Sequence, residues 1–339
     1  MIREVEFVLV TRVRKKPLKS SYKKKRGGVV RVYKAHIKLA GLQPGTVRKY
    51  KCGIARFFNW LSVSEFSFPA SLEDLDFVAG EFVNHLFQDD LPLGWGNDFV
   101  CGLKRFYPRC RFSLQITSSY LRNWSKSVKR TQALPLTSDI LVSLVTCALL
   151  RGEKFLASVL LLGFVGLLRT GELVSLKRSQ LQFLGGGSQL HISLRDSKGA
   201  KRSGLPESVV IRHHLTVKFF AKAFSNHAPQ DFIYPCTHAS LGRDLSRIAL
   251  AIGLRHPNLT PYSLRRGGAT WLFKSTLNYD YVQDHGRWSQ SKTCRIYINQ
   301  GMADLGQHRL PTWGVNRVHT CVKNFNQVLT TFVDTGLPL

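Results

Sequence analysis

The stretch TPYSLRRGGAT, residues 260–270, sets Arg265 and Arg266 beside Gly267 and Gly268 inside a segment whose apolar spacing predicts a helix over about 262–275. Arginine pairs on helices are usually solvated surface charge, and paired glycines can simply let two backbones approach. A second stretch changes the weight of that bland explanation. GFVGLLRTGELVSL, residues 163–176, places Arg169 at the end of the most apolar segment of the chain, with Glu172 three residues on and within reach of its guanidinium. An arginine at the end of a buried helix costs free energy unless an anion meets it. Two such arginines, converging, would form a clamp for a phosphate.

Composition points to the same partner. The 339 residues, 44% of them hydrophobic, suffice for two soluble globular domains with their own cores. Forty-nine Lys and Arg against 21 Asp and Glu leave a formal charge of +28 spread over the whole length, an excess that a polyanion such as nucleic acid would neutralise. The longest apolar run, Phe155 to Leu168, spans 14 residues, short of the roughly 20 needed to cross a bilayer, so it predicts a buried helix and no membrane segment. Seven cysteines without a CxxC or other ligand spacing read as reduced thiols of an intracellular protein, and the opening VEFVLV is too short for a secretory signal.

Along the chain, TRVRKKPLKSSYKKKRGGVVRVYK (11–34) holds eleven Lys or Arg and no acid. Residues 1–40 are therefore expected to be a flexible basic arm, with Lys23, Lys24, Lys25 and Arg26 as candidate phosphate contacts or an import signal. Helical periodicity begins near Thr46, where Val47, Tyr50, Ile54, Phe57, Phe58 and Leu61 share a face and Arg48 and Lys49 lie off it. A second helix starts at a Ser71/Asp74 capping box, and further helices are expected around Asp98–Phe106 and Thr117–Val128. These make a small all-helical module over 41–130.

A linker, ALPLTSDI (133–140), offers Thr137 or Ser138 as the next N-cap and opens a second module over 131–305. Helices over 138–151 and 154–168 are followed by strand signals at QLQFL, QLHISL and SVVI, then by helices near 213–225, 240–252, 262–275, 278–285 and 290–299. The fold class is thus mainly α with a small antiparallel β-sheet. Residues 306–339 form a tail whose helix carries an apolar face from Val322 to Val333.

Common catalytic signatures are missing: the sequence has no HExxH, GxSxG or GxxxxGK[ST], and GGGS lacks the lysine and helix of a phosphate-binding loop. No metal or cofactor is expected. What remains is an ordered set of arginine boxes, and over about residues 41–300 it resembles the tyrosine recombinases, the phage integrase-like DNA breaking and rejoining enzymes. GFVGLLRTGELVSL looks like the family's first arginine box, HISLRDSKGAKRSG (191–204) like the hairpin that presents its lysine, TPYSLRRGGAT like its HxLRH box, and GRWSQSKTCRIYI (286–298) like its LGHxxxxTTxxY ending. The pieces LPLT, DSKGAKRSG and SLRRGGAT are more like recombinases of eukaryotic mobile elements than like bacterial chromosome-dimer resolvases.

The resemblance implies a core-binding domain and a catalytic domain that together form a C-shaped clamp on double-stranded DNA, assembled as a homotetramer on two duplexes. It implies strand transfer through a 3′-phosphotyrosyl intermediate, with Tyr297 as nucleophile and Arg169, Arg265, Lys198 and Trp288 in catalytic positions. Glu172 then supports Arg169. Lys201 lies in the same turn as Lys198 and could reach the same phosphate.

Arginine suits such chemistry, because its planar fork binds two phosphate oxygens at once and remains charged at working pH. Two positions depart from the family pattern: Tyr262 stands where most members have His, and Arg266 where many have His or Lys. A tyrosine with pKa near ~10 donates a hydrogen bond but does not shuttle protons at neutral pH. A DNA-binding relic of a mobile element that has lost catalysis is therefore an alternative expectation, and a type IB topoisomerase a third. The expected location is the nucleus for a eukaryotic source, or otherwise the cytoplasm with the nucleoid.

Overall fold

The computed structural model describes residues 41–129, 131–195, 197, 199–200, 204–307 and 309–336. Lys23, Lys24, Lys25, Arg26, Lys198 and Lys201 lie outside the described residues. By internal contacts the chain divides into two compact units, residues 1–130 and 131–339.

In the first unit, α1 (Pro44–Val63) begins with Pro44 in its first turn, where a missing N–H costs nothing. It buries Ile54, Phe57 and Leu61 and leaves Arg48 and Lys49 exposed. Helix α2 (Leu72–Gln88) starts on the expected capping box: Ser71 Oγ accepts from Asp74 N–H at 3.0 Å, and Asp74 Oδ2 accepts from Ser71 N–H at 3.0 Å. Helix α3 (Leu93–Phe106) starts at Leu93 rather than Asp98. Its first turn, LGWG, has two glycines that helix propensity discounts, yet Gly96 is what lets α3 close on the Trp124 ring of α4 (Gln115–Ser127). Phe57, Phe82 and Phe99 form the centre of this core, with Phe99 4.9 Å from each of the other two ring centroids.

One buried carboxylate ties α2 to α4. Asp76, 5% exposed, accepts from the backbone N–H groups of Gln115 (2.8 Å), Ile116 (2.8 Å) and Thr117 (2.9 Å), so it caps α4 from across the unit. Asp76→Ala leaves these donors without an acceptor and is expected to cost about 3 kcal/mol. Urea unfolding of the full chain should show this as an early loss of the first unit, and an unchanged midpoint would refute the capping role.

The second unit opens with α5 (Ser138–Leu150), for which Thr137 is the N-cap, its hydroxyl accepting from Ile140 N–H at 3.2 Å. Helix α6 (Lys154–Val165) is almost wholly buried. It stops at Val165 and not at 168. The apolar run continues without interruption, so periodicity marks no end, but Gly166 caps the helix and Leu167 turns the backbone left-handed at φ 45°. Arg169 consequently lies beyond α6, as the N-cap residue of the short α7 (Thr170–Ser175).

A three-stranded antiparallel sheet follows, ordered β1 (Leu181–Leu184), β2 (Gln189–Leu194), β3 (Glu207–Ile211), with Leu181 opposite Ile192 and Leu190 opposite Ile211. The β1–β2 connection uses Gly185, Gly186 and Gly187 at φ 55°, 64° and 88°, conformations that side chains rarely adopt.

After β3, among the described residues, come α8 (His214–Ala223), α9 (His238–Ala249), α10 (Tyr262–Thr276), α11 (Tyr279–Gly286), α12 (Ser291–Tyr297) and α13 (Gln300–Gln307). The last helix, α14 (Thr312–Thr335), corresponds to the tail. It packs within this unit, with Phe332 5.3 Å from Phe219 of α8 and Val318, Cys321, Val328 and Leu329 buried. Most of the apolar face from Val322 to Val333 is thus covered by the unit's own core, while Val322 stays exposed.

Candidate active site

Helix α10 answers the question posed by its glycines. A Cβ on Gly267 would lie 2.7 Å from the Leu136 backbone nitrogen, and one on Gly268 would overlap the Phe164 carbonyl oxygen. The segment before α5 therefore runs directly across α10 on one side, with Leu136 N–H donating to Ser263 O, while the end of α6 presses on it from the other. Leu264 packs against Gly163 of α6. These contacts set the depth of Arg265, which is 0% exposed.

The Arg265 guanidinium donates through Nη1 to the Leu167 carbonyl and through Nη2 to the Gly286 carbonyl at 2.6 Å. Its Nε has no partner among the described residues, and no carboxylate bonds it. Burial, together with the neighbouring cations Arg287 and Arg169, pushes its pKa down from the ordinary arginine value. An anion delivered to this position would favour the charged form and raise the pKa again.

Arg169 sits beside it at the start of α7. Its Nη1 donates to Glu172 Oε1 at 2.7 Å and to Glu207 Oε2 at 3.3 Å, and its backbone N–H donates to Glu172 Oε2 at 2.8 Å. Burial alone would lower the Arg169 pKa, but Glu172 and Glu207 outweigh it and hold the group charged. Burial likewise works to raise Glu172, and is overcome by Arg287 and Arg169, so the carboxylate stays ionised.

Tyr297, the last residue of α12, meets this cluster. Its ring lies 5.5 Å from the Arg265 guanidinium carbon and 4.6 Å from the Trp288 ring, which itself lies 4.5 Å from that carbon. The Thr270 hydroxyl donates to Tyr297 O at 3.2 Å and accepts from Asn299 N–H at 3.1 Å, which fixes the end of α12 on α10. The Tyr262 hydroxyl is in hydrogen-bond contact with the Tyr297 hydroxyl. Burial pushes the Tyr262 pKa up, against Arg265, Arg169 and Arg266, so the residue is a neutral donor. The other nearby tyrosines face elsewhere: Tyr279 packs on Phe273 at 4.6 Å and Tyr281 on His285 at 6.1 Å.

The structure therefore brings together Arg169, Glu172, Arg265, Trp288, Tyr262 and Tyr297. Arg266 is turned away: its Nη2 donates to Gln132 Oε1 at 2.7 Å in the segment before α5. The sequence reading passed over two members of the cluster. Glu207, on β3, shares Arg169, and Arg287 donates to Glu172 Oε2 at 2.9 Å. The only hint of Arg287 in the sequence is its place directly before Trp288. Three guanidinium groups facing two carboxylates leave one positive charge uncompensated, and it falls on Arg265. Among the described residues no group of three or more His, Cys, Asp or Glu could hold a metal ion.

Residues 137–303 match the phage integrase family. The matched stretch lies wholly within the second unit. Solved structures similar to it include the XerH site-specific recombinase bound to a palindromic difH substrate (16% identity, 77% of this chain and 78% of that one, TM-score 0.53). The Tn1549 transposon integrase in complex with circular intermediate DNA is similar at 16% identity over 78% of this chain and 99% of that one, TM-score 0.52. A lambda integrase dimer bound to a core site is similar at 14% identity over 77% of this chain and 73% of that one, TM-score 0.53. At these identities the likeness is one of fold, mostly helical with the small antiparallel sheet. The search of curated proteins found no match.

Proposed function

We propose that the protein is a site-specific DNA recombinase that cleaves and rejoins strands through a 3′-phosphotyrosyl intermediate on Tyr297. The observation that carries this reading is the meeting of Tyr297 with Arg265, a buried cation that no carboxylate neutralises. A phosphodiester placed there supplies the missing anion, and the five-coordinate transition state adds a second negative charge where Arg265 and Arg169 stabilise it selectively.

The Tyr297 hydroxyl attacks phosphorus and gives up its proton to solvent, the phosphotyrosyl bond forms as the bond to the 5′ oxygen breaks, and that oxygen leaves with a proton. Lys198, or Lys201 of the same turn, is the proposed donor of that proton. Trp288 supports the site through its ring and offers one indole N–H. Tyr262, at the position of the family's histidine, donates a hydrogen bond to a phosphate oxygen. Reversal of the same steps by a new 5′ hydroxyl joins the strands without an external energy source. The residues also propose a division of labour along the chain, with exposed Arg48, Lys49 and the basic arm on the DNA backbone and four protomers on two duplexes.

A suicide DNA substrate tests this directly. The wild-type chain is expected to accumulate a covalent adduct, while Tyr297→Phe forms none yet binds the same DNA within about threefold. An adduct that survives Tyr297→Phe sinks the assignment. The reading as a DNA-binding relic draws on one observation, Tyr262 in place of histidine, and DNA binding without any wild-type adduct selects it.

A further inference from the structure

The proposed reaction uses Arg169 and Arg265, but a third arginine, Arg287, is built into the same cluster at considerable cost. It occupies the turn between α11 and α12 with φ 57° and ψ 45°, a left-handed conformation that is unfavourable for a side-chain-bearing residue. Its side chain is 7% exposed, and burial pushes its pKa down against the pull of Glu172. A residue that is both strained and desolvated persists where the surrounding contacts over-determine it.

Those contacts all concern the two arginines of the reaction. Arg287 Nη2 donates to Glu172 Oε2 at 2.9 Å and to the Leu167 carbonyl at 3.1 Å. The Leu167 carbonyl is also the acceptor for Arg265 Nη1. In the backbone of the same turn, the Gly286 carbonyl accepts from Arg265 Nη2 at 2.6 Å and the Arg287 carbonyl accepts from Arg169 Nη2 at 3.4 Å. A Cβ on Gly286 would strike the Trp288 ring, so the turn also fixes the aromatic surface under Arg265.

We propose that Arg287 is a positioning residue that holds Arg169 and Arg265 in register for a single phosphate, its guanidinium locking Glu172 and the Leu167 carbonyl while its turn anchors both arginines. The inference rests on the reading of the site as a strand-transfer centre. Arg287 Nη2 is committed to Glu172 and the Leu167 carbonyl, and its Nε and Nη1 are buried without a partner among the described residues. With Arg287 on Glu172 Oε2, Arg169 engages Oε1 through one nitrogen only. Of its five N–H donors, the Nε–H and one on Nη2 then remain for the substrate. Without Arg287, Glu172 would have Arg169 as its sole guanidinium partner and would draw the fork toward itself.

The test compares single-turnover cleavage of the suicide substrate by wild type, R287M, R287K, E172Q and the double variant E172Q/R287M, with DNA affinity measured alongside. R287M is expected to bind DNA within about threefold of wild type and to cleave at least about 100-fold more slowly, the scale of a misplacement near 1 Å. R287K should recover about tenfold of that loss, because an ammonium reaches Glu172 but not both acceptors. In the E172Q background, removing Arg287 should cost less than about fivefold, since its partner is already gone.

R287M cleaving within threefold of wild type overturns the proposal. Losses that multiply in the double variant overturn it as well, because Arg287 would then act on DNA and not through Glu172. Should R287M fail to fold, R287K decides alone, with an expected loss near tenfold and wild-type cleavage as the contrary result. A wild-type chain that forms no adduct overturns the strand-transfer reading and this inference with it, whereas a wild-type adduct beside an unimpaired R287M overturns the inference alone.

Discussion

Arg265→Lys is expected to lower the proposed strand cleavage by about 10²- to 10³-fold while DNA binding changes little, the size that follows when one preorganised charge donor is lost. Lysine keeps the formal charge, so a purely electrostatic role predicts a small effect. The geometry argues otherwise. Two of the arginine's nitrogens are already committed to the Leu167 and Gly286 carbonyls, and the fork thereby presents its remaining donors in a fixed direction. An ammonium is a compact point donor on a flexible stem, and it cannot hold both carbonyls and still face a phosphate. Single-turnover cleavage of the suicide substrate, read beside equilibrium binding, separates the two views. Equal cleavage by the lysine variant would show that charge alone suffices.

Gly268→Ala is expected to destabilise the second unit by about 3 kcal/mol, and Gly267→Ala to do the same through a different neighbour. Helix propensity by itself predicts the opposite sign, since alanine is favoured over glycine inside a helix by about 1 kcal/mol. Backbone proximity decides against propensity: the added methyl on Gly268 meets the Phe164 carbonyl and on Gly267 the Leu136 backbone, and neither is a flexible side chain that can swing away. Relief requires α10 to lift from α6 or from the segment before α5, which also withdraws Arg265 from Leu167. Urea unfolding of the full chain measures the loss. A midpoint that is unchanged or raised would mean that the helix yields at no cost.

Much of the architecture was legible because it is encoded between near neighbours. The Ser71/Asp74 box, the Thr137 cap, the apolar faces of α1 and α2 and the three strands each follow from residues within a few positions of one another. The pair Arg169/Glu172 belongs to the same class, because three residues of separation at a helix start place the carboxylate under the guanidinium. Boundaries were less legible. The apolar run Phe155–Leu168 has no polar residue to mark where α6 ends, and only the packed structure shows Leu167 turning left-handed so that its carbonyl faces Arg265.

The sequence by itself determined a basic, mainly helical chain with a small sheet, and it carried the ordered boxes in which Arg169, Arg265, Trp288 and Tyr297 stand. Tertiary structure alone decided which charges meet. Arg287 and Glu172 are 115 positions apart, and Glu207 reaches Arg169 across 38, separations that no helical or strand period can signal. It also decided that Arg266 turns to Gln132 while its neighbour Arg265 stays without a carboxylate, and that the core of the second unit covers most of the apolar face of α14. The physical reason is common to all of these. Periodicity fixes the face on which a side chain emerges, but the partner it finds there depends on how deep its helix is seated, and in α10 that depth is set by two glycines against the backbones of Leu136 and Phe164.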